Sequence, residues 1–430
     1  MPGNLSFIST LRELQLKNAY IVGGTVRDIL IGKIPVDVDI VVQNDTERIA
    51  RDLADKIGGS SFYLDKQRGI LRVISYGKSP PDYYDILPLR DGNIYADLSL
   101  RDFTIDALAI SLADIETIID PFNGREDIKE RLIRVISRKS FEDDPLRMLR
   151  AFRLASTLGF RIEDNTLNII SELAPTLRFS ASERIRDEFF RILAFSNSTQ
   201  YLRQIHNSGL LKEILSGIAE NDIEKGLISC EKLEELYNSM HNIYTLDHVS
   251  IKDYFTTKVE SGIRNIELWK LLSLYINSNI NKPKMIEAVE KLRLSNRAAK
   301  MAILMIEQRN NPILDKGVND KKLLYRFFKN SEDNGLGFIF FCLASTGLNS
   351  EIYDNALRNS RDTISWFFHV YKKVRENPLI TGEDIKKLFN IPPGQVYRSL
   401  LDLTEENQVM GYIMTKKDAV SFLKKVVTNF

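Results

Sequence analysis

The chain is poor in cysteine and histidine, which limits the kinds of site that it can contain. Its 430 residues include two cysteines and four histidines. Cys230 and Cys342 are too few for a disulfide scaffold or a cysteine-rich zinc site. His206 and His369 are isolated in sequence. For residues 237–248 we favour a structural role over a degenerate metal-dependent phosphohydrolase segment, because no His-Asp pair or further ligands accompany them.

Long apolar runs and a net charge of one sign are also absent. No secretory apolar segment precedes residue 20, and no apolar run is long enough to span a bilayer, so we expect a cytoplasmic protein. The 59 basic and 58 acidic residues give a net charge of +1. Any RNA-binding surface must therefore come from local clusters, for which residues 129–139 are a candidate. The length predicts more than one domain.

Two aspartates in an alternating segment are the first candidates for chemistry. In residues 36–40 valine and isoleucine alternate with Asp37 and Asp39. Side chains of a strand repeat every two residues, so both aspartates face the same side. Neighbouring carboxylates repel each other, and Mg²⁺, which prefers oxygen ligands and phosphates, relieves that repulsion. The pattern predicts a catalytic, Mg²⁺-binding pair, with Asp85 as a candidate third carboxylate.

A glycine pair precedes this strand. Residues 20–22 are typical of a short buried strand, after which Gly23 and Gly24 let the backbone approach a phosphate closely. Thr25 can cap a following helix, which carries Arg27 towards the same place. A Gly-Gly turn is usually only a turn, and an Asp-x-Asp strand end is usually a solvated edge. Their combination in this order predicts a nucleotidyl-transfer site.

These motifs resemble those of a known enzyme family. Gly-Gly-x-Val-Arg-Asp28, followed nine residues later by Asp-x-Asp, resembles the signature of the class II tRNA nucleotidyltransferases and the bacterial poly(A) polymerases, members of the polymerase β superfamily. The resemblance implies an α+β fold with a small mixed α/β catalytic head followed by helical domains. It also implies Mg²⁺-dependent attack of the tRNA 3′-hydroxyl on the α-phosphate of CTP or ATP.

The resemblance extends to domain organisation. We expect a catalytic head, a helical neck, a helical body and a tRNA-binding helical tail over residues 1–139, 140–205, 206–375 and 376–430. In the tail, Pro392, Pro393 and Gly394 are expected to set a rigid turn before a helix.

A second stretch, residues 97–109, resembles the family motif Arg-Arg-Asp-Phe-Thr-Ile-Asn-Ala. The resemblance implies that Arg101 and Asp102 contact the ribose and phosphates of the nucleotide. Leu100 replaces the first Arg and Asp106 replaces Asn, which leaves the detail of these contacts open. On the residues alone, Arg101 and Asp102 could also be a surface ion pair, which would contribute little to stability.

A basic helix is predicted next. Pro145 fits a first helical turn, and Asp143 or Asp144 can cap it. Arginines at three-residue spacing form a stripe opposite apolar side chains: Arg147, Arg150 and Arg153 against Leu146, Leu149 and Phe152. Such a stripe is most often a solvated face.

The same stretch resembles the family motif Glu-Asp-x-x-Arg, with Asp143 at the Glu position. The resemblance implies that Asp144 and Arg147 select CTP and ATP without a template, and that Arg150 and Arg153 contribute to nucleotide binding. An acceptor beside a fork of donors can satisfy the base edges of C and A. G or U would be left with unpaired groups, which are costly to bury.

Two further segments resemble family elements. Residues 120–124, Asp-Pro-Phe-Asn-Gly, are a turn that we interpret either as a hinge or as a plain loop. Glu183 opens a later helix, and we expect it to brace or cap that helix rather than to take part in chemistry. Beyond residue 195 the pattern predicts helices with no further strand.

The choice of nucleotides depends on a short loop. Only residues 90–96 separate two motifs that full CCA-adding and A-adding members join by a longer loop, which favours an enzyme that adds two C residues and leaves the A to a partner enzyme. The alternatives are a complete CCA-adding enzyme, a poly(A) polymerase, which the absence of a basic tail disfavours, and an inactive RNA-binding homologue. The sequence does not fix the oligomeric state.

Overall fold

The chain divides into two compact units, the first of which is discontinuous. The computed structural model describes residues 6–77, 83–276, 278, 280–346, 350–390 and 394–427. The first unit contains Met1–Ile192 and Gln204–Ile214, and the second contains Leu193–Arg203 and Leu215–Phe430. The turn expected at Pro392 and Pro393 lies outside the described residues. The predicted α+β fold class is confirmed.

The first unit contains the seven-stranded sheet and a separate two-stranded sheet formed by β8 and β9. The strands of this unit are β1 (Ala19–Val22), β2 (Asp37–Val42), β3 (Ser60–Asp65), β4 (Ile70–Ile74), β5 (Tyr83–Pro88), β6 (Ala109–Ser111), β7 (Ile118–Ile119), β8 (Leu132–Ile133) and β9 (Arg161–Ile162). The helices up to the end of this unit are α1 (Ser6–Arg12), α2 (Gly24–Leu30), α3 (Thr46–Ile57), α4 (Ile94–Ser99), α5 (Gly124–Glu130), α6 (Arg138–Asp143), α7 (Leu146–Leu158), α8 (Asp164–Leu173), α9 (Ser182–Leu193), α10 (Thr199–Asn207) and α11 (Leu210–Ile214).

The seven-stranded sheet has the order β3-β4-β5-β2-β1-β6-β7. Strands β2 and β5 are parallel, and the other neighbours are antiparallel. Helix α3 packs on β3, β4 and β5, and its apolar side contributes Ile49, Ala50 and Leu53 to the core. One face of these strands is therefore buried, whereas the side chains of the other face are partly exposed.

Strand β2 shows the alternation expected of a half-buried strand. Val38 and Ile40 are buried, Asp37 is exposed and Asp39 is intermediate, so the two carboxylates lie on the open face. Val36, which precedes the first paired residue of the strand, is 51% exposed.

The second unit is mostly helical. It contains β10 (Lys258–Glu260), β11 (Ile263–Arg264), α12 (Glu220–Ile243), α13 (His248–Thr256), α14 (Asn265–Ser273), α15 (Lys282–Lys291), α16 (Asn296–Gln308), α17 (Ile313–Lys316), α18 (Lys321–Ser331), α19 (Asn334–Ser345), α20 (Ser350–Trp366), α21 (Lys372–Glu376), α22 (Gly382–Phe389), α23 (Gln395–Val409) and α24 (Lys416–Val427). The prediction of no strand beyond residue 195 was wrong. The hairpin β10–β11 is too short to show alternation, and Gly262 forms its turn with φ of 78°.

Helices α12, α14 and α19 build the core of this unit around a buried tryptophan. Trp269 donates to the Tyr254 hydroxyl at 2.8 Å and packs against Phe341 at a ring distance of 5.7 Å. The neighbouring Lys270 is also buried and pairs with Glu234 at 2.8 Å. A buried charge of this kind is tolerated because it is paired and hydrogen-bonded. No helix among the described residues is long and apolar enough to cross a bilayer.

One of the two histidines that are isolated in sequence has a partner in the fold. His369, in the π-helical turn Phe367–Tyr371, lies 3.1 Å from Asp247. Across the part of the chain that the structure describes, no group of three His, Cys, Asp or Glu side chains is arranged to hold a metal. The structural interpretation of residues 237–248 stays a prediction.

The core contact at Trp269 gives a stability prediction. A β-carbon at Gly337 would overlap the Trp269 indole, so Gly337→Ala should lower the free energy of unfolding by about 1–3 kcal/mol, as overpacking does. Thermal unfolding followed by near-UV circular dichroism of tryptophan measures the effect. Ser345→Ala, on the exposed end of the same helix, is the control and should change stability by less than about 0.5 kcal/mol. Equal melting temperatures for both variants would contradict the packing described.

Candidate active site

The aspartate pair is held by the helix that follows the glycine turn. The Thr25 hydroxyl accepts a hydrogen bond from the Asp39 amide at 2.9 Å and donates to the Asp37 carbonyl at 3.3 Å. The expectation that Thr25 caps α2 was wrong, since the N-cap is Gly23 and Thr25 lies inside the helix. Its hydroxyl instead fixes the beginning of β2 against α2.

Gly23 and Gly24 bring the backbone close to two arginines. Gly23 has φ of 68°, which favours glycine, and a β-carbon there would overlap the Arg101 guanidinium. At Gly24 a β-carbon would lie 3.1 Å from Nη2 of Arg27. The backbone conformation therefore favours glycine at position 23, whereas a β-carbon at position 24 would require the end of the flexible Arg27 side chain to shift by a few tenths of an ångström. Both residues lie at the start of a helix, where anions are favoured.

Arg27 faces two carboxylates. It pairs with Asp28 at 2.9 Å and with Asp106, the residue that replaces the family's Asn. Burial raises the pKa of Asp106, and the charge of Arg27 opposes that shift. The departure from the motif therefore supplies a partner for Arg27, which links the glycine turn to the second motif.

Asp39 experiences an unfavourable electrostatic environment. Burial, together with the negative charges of Asp85, Asp106 and Asp37, raises its pKa to about 6, although the charge of Arg101 opposes the shift. Accumulated negative charge of this kind is relieved when a cation binds.

The second motif places Arg101 and Asp102 beside Asp39. Arg101 pairs with the buried Asp97 at 3.0 Å, and Asp102 accepts from Arg150 at 2.8 Å. The side chain of Leu100 is 41% exposed.

The arginine stripe of α7 is half-buried, and its apolar side is buried. Arg150 is bound to Asp102, while Arg153 pairs with the buried Glu188 of α9 at 2.6 Å. For Arg150, burial opposes the charged form, but the charges of Asp102 and Asp106 raise its pKa. Arg153 and Glu188 pack at the rear of the stripe.

Asp144 and Arg147 are each positioned by a different partner. Asp144 accepts from the Leu146 amide at 3.2 Å and pairs with Arg184 at 2.8 Å. Arg147 donates to the Leu100 carbonyl at 3.1 Å and to the Ser140 carbonyl at 3.4 Å. An acceptor and a donor fork are thus presented at the start of α7.

Two adjoining cavities collect the predicted residues. One of about 240 Å³ is lined by Leu87, Arg90 and Leu100 together with Asp39, Arg101, Asp102, Asp144, Arg147 and Arg150. A second of about 610 Å³ is lined by Gly24, Thr25, Arg27, Asp37, Asp39, Arg101, Asp102, Asp106, Arg150 and Arg153, among others. Asp39 borders both cavities. Gly23 lines neither cavity but lies next to Arg101, which lines both. Glu183, in the first turn of α9, also lines neither.

The donor set fits a divalent cation that substrate phosphates help to coordinate. Asp37 and Asp39 offer carboxylate oxygens from one strand face, and Mg²⁺ is usually held by one or two carboxylates plus phosphates. Asp85 lies directly opposite Asp39 in the sheet, but both of its oxygens accept from Arg72, each at 2.7 Å. The pair on β2 is therefore better placed for a metal than Asp85.

Comparison with known proteins agrees with this geometry. The poly A polymerase head domain family matches residues 19–91 and 88–134, and the family described as "Probable RNA and SrmB- binding site of polymerase A" matches residues 159–221. The CC-adding tRNA nucleotidyltransferase of Geobacter sulfurreducens is 31% identical over 421 residues, which cover 98% of this chain and 94% of that protein. The chain belongs to the class II tRNA nucleotidyltransferase and poly(A) polymerase family. It is a nucleotidyltransferase.

Other members of the family differ in the nucleotides that they add. The A-adding tRNA nucleotidyltransferase of Deinococcus radiodurans is 33% identical over 234 residues, or 53% of this chain and 52% of that protein. The fold matches a solved structure of the Thermotoga maritima CCA-adding enzyme with tRNA, at a TM-score of 0.70 and 21% identity, over 98% of this chain and 94% of that one.

Sequence analysis missed three residues that hold predicted site residues in place. Arg184 holds Asp144, Arg72 holds Asp85, and Asp97 holds Arg101. One signal was available, because Arg184 and Glu188 are four residues apart on α9 and so lie on one helix face. Both face the stripe helix, which the spacing alone could have suggested.

The raised pKa of Asp39 predicts that the free energy of unfolding depends on pH. In metal-free protein its pKa is about 6, against an ordinary value of 3.8. Ionising Asp39 therefore destabilises the fold above pH 6, and this cost disappears as the pH falls from 6 towards 4. Asp39→Asn should raise the free energy of unfolding by about 1–3 kcal/mol at pH 7.5 and by much less at pH 4.

Urea unfolding in EDTA at several pH values measures this difference. Asp55→Asn, at an exposed aspartate outside both cavities, is the comparison variant and should change the free energy of unfolding by less than about 0.5 kcal/mol at pH 7.5. Mg²⁺ should stabilise the unaltered protein at pH 7.5 but not the Asn variant. Equal stability of Asp39→Asn and the unaltered protein across the range would contradict the electrostatic account.

Proposed function

We propose that the protein is a template-independent tRNA 3′-end nucleotidyltransferase that adds C residues, with CC addition favoured over CCA. One observation carries the proposal: Asp39 borders the cavity that also contains Asp144 and Arg147. A carboxylate suited to a metal and a donor–acceptor pair suited to a base edge thus line one cavity.

Base selection is assigned to Asp144 and Arg147. The carboxylate accepts from the exocyclic amine of cytosine, and the guanidinium donates to its ring nitrogen or carbonyl. Uracil has a carbonyl where cytosine has the amine. Its carbonyl oxygen and the carboxylate are both hydrogen-bond acceptors, so they repel each other instead of forming a hydrogen bond. Because Arg184 and the Leu100 carbonyl fix the two groups, the preference is set before the nucleotide arrives.

The triphosphate is assigned to the arginine-lined cavity beside α2. Arg101, Arg150 and Arg27 line it with Gly24, and their carboxylate partners set the direction of their N–H groups. Arg153 lies at its rear edge. Asp37 and Asp39 would hold Mg²⁺, which when bound supplies positive charge for the phosphates and for the attacking hydroxyl.

The short loop supports CC addition. Between β5 and α4 the chain forms only one 3₁₀ turn, Arg90–Gly92, and Arg90 lies 3.8 Å from the Asp97 carboxylate. Arg90 also lines the nucleotide cavity. A connection this short offers little freedom to reshape the cavity for ATP, and the Geobacter relative is named as CC-adding.

The remaining assignments concern the RNA. We assign residues 1–139 to the head, 140–205 to the neck, 206–375 to the body and 376–430 to a tail that contacts folded tRNA. The tail has its own small core, which includes Ile385, Leu400 and Leu423. A separate A-adding enzyme would complete the 3′ end. Residues 120–124 remain a hinge candidate, and Glu183 a bracing residue.

The first experiment tests the activity itself. Protein and Mg²⁺ are incubated with tRNA transcripts that end before CCA, before the last A, or in an unrelated tail, with CTP, ATP or both. We expect two C additions and no A. Complete CCA would refute the short-loop argument, and long A tracts on any RNA would indicate a poly(A) polymerase.

Asp37→Ala should lower CMP incorporation about a thousandfold or more, as for residues that act as one catalytic unit. Binding of tRNA, measured by filter retention, should not change. Asp55→Ala, at another aspartate of the head outside both cavities, is the matched control and should retain activity. Incorporation by Asp37→Ala at the unaltered rate would refute the site assignment.

Arg184 gives a prediction for base selection. Arg184→Ala removes the charge-assisted bond that orients Asp144, so discrimination between CTP and UTP, as the ratio of kcat/KM values, should fall about tenfold. Arg186→Ala, two residues further along α9 and paired with Asp187, is the control. Loss of kcat for both nucleotides with unchanged discrimination would assign Arg184 to stability instead.

A further inference from the structure

A row of side chains crosses the open face of the sheet from Asp39 to its edge. Asp39 of β2 is opposite Asp85 of β5, Asp85 is opposite Arg72 of β4, and Arg72 is opposite Phe62 of β3. Residues directly opposite each other in neighbouring strands point to the same face. The four side chains therefore form one continuous row. The aligned row at Asp37 contains Tyr83.

The row is accessible, unlike the other face of the same strands. Leu71, Val73 and Ile86 are buried against the core, whereas Arg72 and Tyr83 are partly exposed. Phe62 is 45% exposed on the edge strand. Large apolar side chains are not needed on an open face for folding, so an aromatic–cation–aromatic set here is a candidate binding surface.

The guanidinium of Arg72 is fixed in this surface. Asp85 accepts from its Nε and Nη2 atoms, each at 2.7 Å, and the group lies over the Tyr83 ring, 5.0 Å from the centroid. A guanidinium has five N–H donors, of which the carboxylate takes two. Arg72 thus presents an oriented positive group two strands away from Asp39, the row's catalytic end.

Phe62, Arg72 and Tyr83 line neither of the two nucleotide cavities. Arg101, Asp144 and Arg147, which line the smaller cavity with Asp39, lie after α4 and around the start of α7, while the row reaches Asp39 across β4 and β5. Nucleotidyl transfer joins a nucleoside triphosphate to an RNA 3′ end, so the RNA that carries the attacking hydroxyl needs a binding surface separate from the nucleotide cavity. Aromatic rings interleaved with a fixed cation bind single-stranded nucleic acid, because rings stack on bases and the cation contacts the backbone.

We propose that Phe62, Arg72 and Tyr83 bind the single-stranded 3′ end of the RNA acceptor and direct its terminal hydroxyl to Asp37 and Asp39. Arg72 contacts a backbone phosphate, and the rings of Phe62 and Tyr83 stack against the last bases. The inference rests on the proposed function, since it assigns the second substrate of that reaction.

The test separates RNA contact from neutralisation of Asp85. Arg72→Gln alone would expose the Asp85 charge beside Asp39, so the informative variant is the double substitution Arg72→Gln with Asp85→Asn. Phe62→Ala removes the edge ring. Tyr63→Ala is the matched control, because Tyr63 is the next residue of β3, lies on the opposite face and contacts Glu47 of α3.

Two quantities are measured for each variant. The first is the KM for a tRNA that lacks CCA, together with the KM for CTP; the second is the dissociation constant of a fluorescent copy of that tRNA without CTP. Phe62→Ala and the double variant should raise the KM and dissociation constant for RNA about fivefold or more, from the loss of stacking or phosphate contact. For Phe62→Ala the KM for CTP should change less than twofold, as should every value for Tyr63→Ala.

Unchanged RNA affinity in Phe62→Ala and the double variant would overturn the inference. Recovery of unaltered RNA affinity and KM in the double variant, after a defect in Arg72→Gln, would also overturn it, because Arg72 would then serve only to neutralise Asp85. Failure of the unaltered protein to incorporate CMP would refute the proposed function instead. The RNA dissociation constants would still decide whether this surface binds RNA.

Discussion

Charge pairing organises the cleft, because several of the arginines around it are held by carboxylates. Arg27 is bound by Asp106, Arg150 by Asp102 and Arg184 by Asp144. Partly buried pairs of this kind add little net stability, but removing one partner leaves a costly charge behind. Their value is geometric, since a guanidinium fixed on one edge keeps its other donors in a defined direction. Asp106, together with Asp85 and Asp37, also accumulates negative charge around Asp39, which favours a cation.

The glycine turn and the start of α2 also fix the positions of the site residues. Gly23 allows the turn to approach Arg101, and the Thr25 hydroxyl joins α2 to two successive residues of β2. The sheet then extends this geometry sideways, because register alone aligns Asp85 with Asp39. In the proposed function, nucleotide contacts come from the helices and the acceptor surface from the strands, so that one rigid strand end would serve both substrates.

Local pattern predicted the elements of the site better than their partners. Alternation placed Asp37 and Asp39 on one face, and three-residue spacing placed the arginine stripe opposite a buried side of α7. The contacts of Asp144 with Arg184 and of Asp85 with Arg72 join residues 40 and 13 positions apart, which no local spacing encodes. Thr25 was misassigned for the same reason, since its partners lie on the next strand.

The discontinuity of the first unit has a consequence for biosynthesis. Helix α11 packs on the 3₁₀ turn Ala174–Phe179, yet the chain enters the second unit for Leu193–Arg203 before it returns at Gln204. A growing polypeptide must therefore expose Ile214 outside the ribosomal tunnel before the catalytic unit can close its last apolar contacts. Until then the nascent head has an unfinished surface, and a ribosomal pause shortly after that point would give it time to fold.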